Sequence, residues 1–116
     1  MRHCGQRDYR RVADTLARLQ QVIAARRSAD PQASYVAQLY QRGVPVIARK
    51  VGEEAVETVV AALAGTPDDL TAEAADLLFH LLVLLDARGV ALESVLAELG
   101  RREGVSGIAE KAGRSA

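Results

Sequence analysis

The apolar positions of this chain follow a helical period. Val12, Leu16, Leu19 and Ile23 recur at steps of three and four, one stripe that predicts a first helix from about Arg11 to Arg27. Asp30-Pro31 then breaks it, because the residue before a proline is driven out of the helical region. A short second helix is expected over about Ser34 to Arg42, closed by Gly43. A third is expected over about Pro45 to Ala64, closed by Gly65. Thr66-Pro67-Asp68-Asp69 has the form of an N-cap, a proline at the first helical position and acid in the first turn. The fourth helix runs from there to about Arg88 and stops at Gly89; a fifth spans about Leu92 to Leu99 and ends at Gly100. The tail REGVSGIAEKAGRSA is interrupted by glycines and is expected to be only partly ordered by itself. Strand-like alternation is missing. The expected fold class is all-α, an antiparallel bundle of about five helices in one domain over 11–116, with residues 1–10 an unassigned polar N-terminus.

Composition narrows the function classes. The 116 residues carry 15 basic and 15 acidic side chains, so no net charge draws the chain to nucleic acid or an anionic membrane. Tryptophan is absent and aromatics are scarce, which argues against a base-stacking surface. Cys4 is the single cysteine, leaving no internal disulfide and no cysteine-cluster zinc site; a reducing, cytoplasmic setting is expected. MRHCGQRDYRR lacks the apolar core of a signal peptide. The longest apolar run, Leu77 to Leu85, is interrupted by His80 and is too short to span a bilayer.

The informative feature is where the acids fall. Glu54 and Glu57 stand three apart and Glu53 and Glu57 four apart, spacings that place side chains on one helical face, with Lys50 one turn upstream. On the fourth helix Glu73 and Asp76 are three apart and His80 follows four later, among alanines and leucines. A helix apolar on nearly every side is buried, so Glu73 and Asp76 are expected to be at least half-buried, where an unpaired carboxylate is costly. The short Gly65–Asp69 connection packs the two helices antiparallel, and their acids then face a common space. Carboxylates converging there require a cation, and oxygen ligands favour Mg²⁺ or Mn²⁺, ions commonly bound together with phosphates. Two plainer readings compete: a solvated acidic face, and ion pairs to Arg49 or Lys50. His80 reads as a satisfied core histidine or, at most, a support to the site or a contact to substrate.

These strings resemble a known family. Glu53-Glu54-x-x-Glu57 followed by Glu73-x-x-Asp76 resembles the metal motif of the MazG-like all-α nucleoside triphosphate pyrophosphohydrolases. KVGEEAVE, EAADLLFHLLVLL and REGVSGIAEKAGR resemble the phosphoribosyl-ATP pyrophosphohydrolase family, over roughly Leu16 to Arg114. The resemblance implies Mg²⁺-dependent hydrolysis of 1-(5-phosphoribosyl)-ATP to 1-(5-phosphoribosyl)-AMP and pyrophosphate, the second step of histidine biosynthesis. It implies Glu54, Glu57, Glu73 and Asp76 as metal ligands. Glu53 and Glu57 are the catalytic candidates, Glu53 to hold a further metal ion or orient the attacking water; the base stays open among the carboxylates. Lys50 would counter phosphate charge, as would Arg101, Arg102, Lys111 and Arg114 of the basic tail. The family further implies a homodimer that completes a four-helix core. Two rivals remain at this point: a sister enzyme cleansing nucleotide pools, and a non-catalytic helical module whose acids form a charged seam.

Overall fold

The computed structural model describes residues 2–103, with side chains from residue 14 onward. Among these residues there are five α-helices and no strand: α1 (Arg2–Arg26), α2 (Tyr35–Arg42), α3 (Val44–Ala64), α4 (Pro67–Ala87) and α5 (Leu92–Arg102).

The punctuation acts as its chemistry dictates. Ser34 caps α2, its hydroxyl accepting from the backbone N–H of Ala37 at 3.2 Å. Gly43 closes α2 and opens α3 at φ 95°, a left-handed conformation that side-chain-bearing residues avoid. Thr66 and Asp69 form a reciprocal capping box at the start of α4: the Asp69 N–H donates to Thr66 Oγ1 at 3.1 Å, and the Thr66 N–H donates to Asp69 Oδ2 at 2.9 Å. Gly65 has an ordinary φ, but a Cβ there would stand 3.0 Å from both the Ala61 carbonyl and Asp69 Oδ2. That crowding keeps the α3–α4 connection tight enough to fold the two long helices against each other.

Two helices differ from expectation. α1 begins at Arg2 rather than Arg11, so residues 2–10 continue the helix. Only Gly5 is a poor helix former there, and the lack of an apolar stripe does not stop a polar helix. α5 continues through Gly100 to Arg102. A mid-helix glycine costs about 1 kcal/mol relative to alanine, and Arg101 and Arg102 offset it by both bonding Glu98 across the last turn.

The core gathers at one end of the α3–α4 hairpin. Ile23 of α1, Val36 and Leu39 of α2, Ile47 of α3, Leu82 and Val83 of α4 and Leu92 of α5 pack there. Two tyrosines of α2 reach α4: the Tyr40 hydroxyl donates to Asp86, and the Tyr35 hydroxyl bonds His80 at 2.8 Å. The other end of the hairpin is bare. Along α3, Val56, Val59, Val60 and Leu63 form one stripe exposed by 63%, 57%, 57% and 83%, and Leu78 of α4 is half exposed. No helix among the described residues is long and apolar enough to cross a membrane.

Candidate active site

The buried positions of α3 are Ile47, Glu54 and Ala61, each seven residues from the next. A glutamate thus occupies the middle of a seam where a hydrophobe would ordinarily stand. Glu54 is 7% exposed. Glu57, one turn on, is exposed, and Glu73 reaches across from α4 at intermediate depth. One carboxylate oxygen from each of the three lies within 4.8 Å of the others.

Among the described residues no lysine or arginine forms an ion pair with this trio. Glu54 Oε2 and Glu73 Oε2 are both buried without a hydrogen-bond partner. Burial first, and then a hydrogen bond to Glu57 and its negative charge, push the Glu54 carboxyl above the ordinary carboxylate range, with His80 pulling the other way and Asp76 adding to the rise. The Glu73 carboxyl is raised by the same sequence of causes: loss of solvent, then a hydrogen bond to Glu57, then repulsion from Glu57, Asp76 and Glu54. A proton shared among such carboxyls relieves the repulsion in part; a divalent cation relieves it fully. The two orphaned oxygens, all-oxygen donors and converging geometry fit a hard divalent ion.

The other predicted residues are placed differently. Asp76 is exposed, not half-buried, and its carboxylate stands outside the trio although its charge is felt by both Glu54 and Glu73. Three residues carry a side chain about 300° around a helix, which moves Asp76 from the seam to its rim. Glu53 also lies outside. Its carboxylate sits 3.6 Å from both Arg49 Nε and Lys50 Nζ, so the ion pairing open on sequence grounds falls on Glu53 and spares the buried acids. Arg49 reaches it because the two cations are four and three residues upstream, on either flank of Glu53. Arg101 and Arg102 lie on α5 and bond Glu98. Lys111 and Arg114 lie outside the described residues.

Two features of the site carried no signal in sequence. A groove of about 370 Å³ runs between α3 and α4 from Glu57 and Glu73 past Val56 and Val60 to Gly65 and Asp69, giving the acids an apolar approach. The second is the partner of the buried His80: its ring bonds Tyr35, 45 residues away, which no local pattern could reveal.

A helical fold whose antiparallel α3 and α4 bring three carboxylates to one point presents an acidic site able to hold a divalent cation. Comparison with known proteins carries this to a family. The sequence profile described as phosphoribosyl-ATP pyrophosphohydrolase matches residues 16–103. The chain is similar to the phosphoribosyl-ATP pyrophosphatases of Erythrobacter litoralis, at 64% identity over 87% of this chain and 97% of that protein. It is similar also to those of Rhizorhabdus wittichii, at 64% over 89% and 97%, and Novosphingobium aromaticivorans, at 63% over 88% and 95%. The chain belongs to the phosphoribosyl-ATP pyrophosphohydrolase family.

Proposed function

We propose that this chain hydrolyses 1-(5-phosphoribosyl)-ATP between its α and β phosphates, giving 1-(5-phosphoribosyl)-AMP and pyrophosphate for histidine biosynthesis in the cytoplasm, with Mg²⁺ as cofactor and Mn²⁺ as a substitute. The substrate is the one on which its phosphoribosyl-ATP pyrophosphatase relatives act by name. The observation that carries the chemistry is the trio Glu54, Glu57 and Glu73, with two buried oxygens that have no partner.

Magnesium held by Glu54, Glu57 and Glu73, with Asp76 at the rim, would neutralise phosphate oxygens and favour in-line attack by water. The chain's own groups do the rest. Lys50 and Arg49 exchange Glu53 for phosphate oxygens, since exposed ion pairs at 3.6 Å are weak. Glu53, so released, orients the attacking water or accepts its proton, with Glu57 the other candidate base. Arg101 and Arg102, with Lys111 and Arg114, supply cationic contacts to the remaining phosphates. Val56 and Val60 exclude bulk water along one side of the groove.

A homodimer is part of this reading. The bare stripe Val56, Val59, Val60 and Leu63 is the kind of surface a second copy covers. The test of function is pyrophosphate release from phosphoribosyl-ATP, ATP and dCTP, with and without Mg²⁺. Metal-dependent turnover confined to phosphoribosyl-ATP is the expected result; turnover of ATP or dCTP in its place would move the enzyme to pool cleansing.

A further inference from the structure

His80 is 5% exposed and has both ring nitrogens engaged. Nδ1 lies 2.8 Å from the carbonyl oxygen of Asp76. A carbonyl can only accept, so the proton sits on Nδ1; in the neutral ring Nε2 then accepts from the Tyr35 hydroxyl, at 2.8 Å. The ring also meets Tyr35 and Phe79 edge-on, at centroid distances of 5.7 and 5.3 Å. With no free donor or acceptor and almost no exposed surface, His80 has nothing to offer a phosphate or a nucleotide directly.

Its partners, however, connect the site to the rest of the fold. Asp76 belongs to the same turn of α4 as Glu73, and Tyr35 belongs to α2, on the opposite side of the imidazole. α2 is itself held in place, by the Ser34 cap and by Tyr40 on Asp86 and the Val83 carbonyl. The line from Tyr35 through His80 to the Asp76 carbonyl therefore ties the acidic turn of α4 to an anchored element. Packing alone would be served as well by a leucine or phenylalanine between these aromatic edges. A buried imidazole is costly unless both nitrogens are bonded, and here both bonds run towards defined positions.

We propose that Tyr35 and His80 are a positioning pair, holding the turn that carries Glu73 and Asp76 at the distance from Glu54 that a divalent cation needs. The inference rests on the metal-site reading above, and the experiment keeps the two separable. Mn²⁺ binding to the purified full chain, without substrate, is followed by the electron paramagnetic resonance of the free ion. Wild type is compared with Tyr35→Phe, His80→Asn, which keeps a donor like Nδ1 and loses the ε position, and His80→Gln, which keeps a polar group at the ε position. Melting temperatures are taken on the same samples without metal. Groups that orient metal ligands typically contribute 10–100-fold in affinity, so Tyr35→Phe, His80→Asn and His80→Gln, each of which cuts one of the two bonds, should all bind Mn²⁺ about tenfold more weakly. Tyr35→Phe keeps its ring but leaves His80 Nε2 unbonded, so its metal-free melting temperature should fall modestly while the chain stays folded. Mg²⁺ required for half-maximal pyrophosphate release should rise in step, with turnover at saturating metal near wild type. Equal Mn²⁺ affinity in wild type and Tyr35→Phe would overturn the positioning role and leave the metal site standing. A wild-type chain that takes up no Mn²⁺ would overturn both.

Discussion

Glu54 on α3 and Glu73 on α4 face each other with one buried, unbonded carboxylate oxygen apiece. That is an unfavourable arrangement for a structural seam and a suitable one for a cation. Both carboxyls are raised above the ordinary range, Glu54 by burial before any neighbour's charge and Glu73 likewise. A raised carboxyl pKa means that ionisation works against the fold, so a neutral isostere relieves the strain. Glu54→Gln should therefore melt at the same temperature as wild type or higher when no metal is added at pH 7 to 8. Its turnover with Mg²⁺ should fall more than about a hundredfold, beyond what the loss of an orienting partner costs. Differential scanning calorimetry and pyrophosphate release test the two halves. A variant that melts lower and turns over normally would return Glu54 to structure.

The Tyr40 hydroxyl on Asp86 is a different case, a polar contact with no site to serve. Burial first, and then the hydrogen bond to Asp86 and its charge, push the Tyr40 phenol up, so it stays a donor through any working pH. Arg27 lies 3.8 Å from the same carboxylate and gives Asp86 a second, weaker partner. Removing a hydrogen bond to a charged, partly buried group costs about 1.5–3 kcal/mol. Tyr40→Phe should lose that much stability in urea and keep its turnover, which separates this tyrosine from Tyr35.

Much of the fold was legible because local punctuation coincides with tertiary need. Ser34, Gly43, Thr66-Pro67 and Gly89 each start or stop a helix for a reason visible within four residues. Glu54, Glu57 and Glu73 were legible because acids at helical spacing in an apolar setting have few explanations. The depth of Asp76 was not, since one turn of α4 runs from seam to rim and hydropathy does not say which side a partner covers. Nor was the role of Glu53 as the anion between Arg49 and Lys50, because its spacing to both cations suits ion pairing and metal binding alike. The tethers Tyr35–His80 and Tyr40–Asp86 join positions 45 and 46 residues apart, beyond any periodicity.

The bare α3 stripe predicts assembly. Val59 is 57% exposed and is not among the residues lining the groove beside the acids. A charge there should oppose burial against a second copy without disturbing the site's ligands. Wild type should scatter light at twice the 12.4 kDa chain mass at micromolar concentration, and Val59→Glu should shift towards the single-chain mass. Wild type at the single-chain mass would contradict the dimer.

The end of α5 should respond to acid through one residue. Glu98 accepts from both Arg101 and Arg102, and these two hydrogen bonds, ahead of the guanidinium charges, lower its carboxyl to about 2 from an ordinary 4.5. Because the folded value lies below the unfolded one, the stabilisation is complete above pH 4.5 and drains away as pH falls towards 2. All three side chains are exposed, so solvent screening keeps the effect small. Glu98→Gln lacks the carboxylate at every pH. The melting-temperature gap between wild type and Glu98→Gln should therefore hold steady from pH 8 to 5, narrow below 4.5 and close near 2. High salt should narrow the gap at pH 7 as well, since screening weakens exposed pairs. A gap that is the same at pH 3 as at pH 7 would mean that the two arginines do not hold Glu98 in solution.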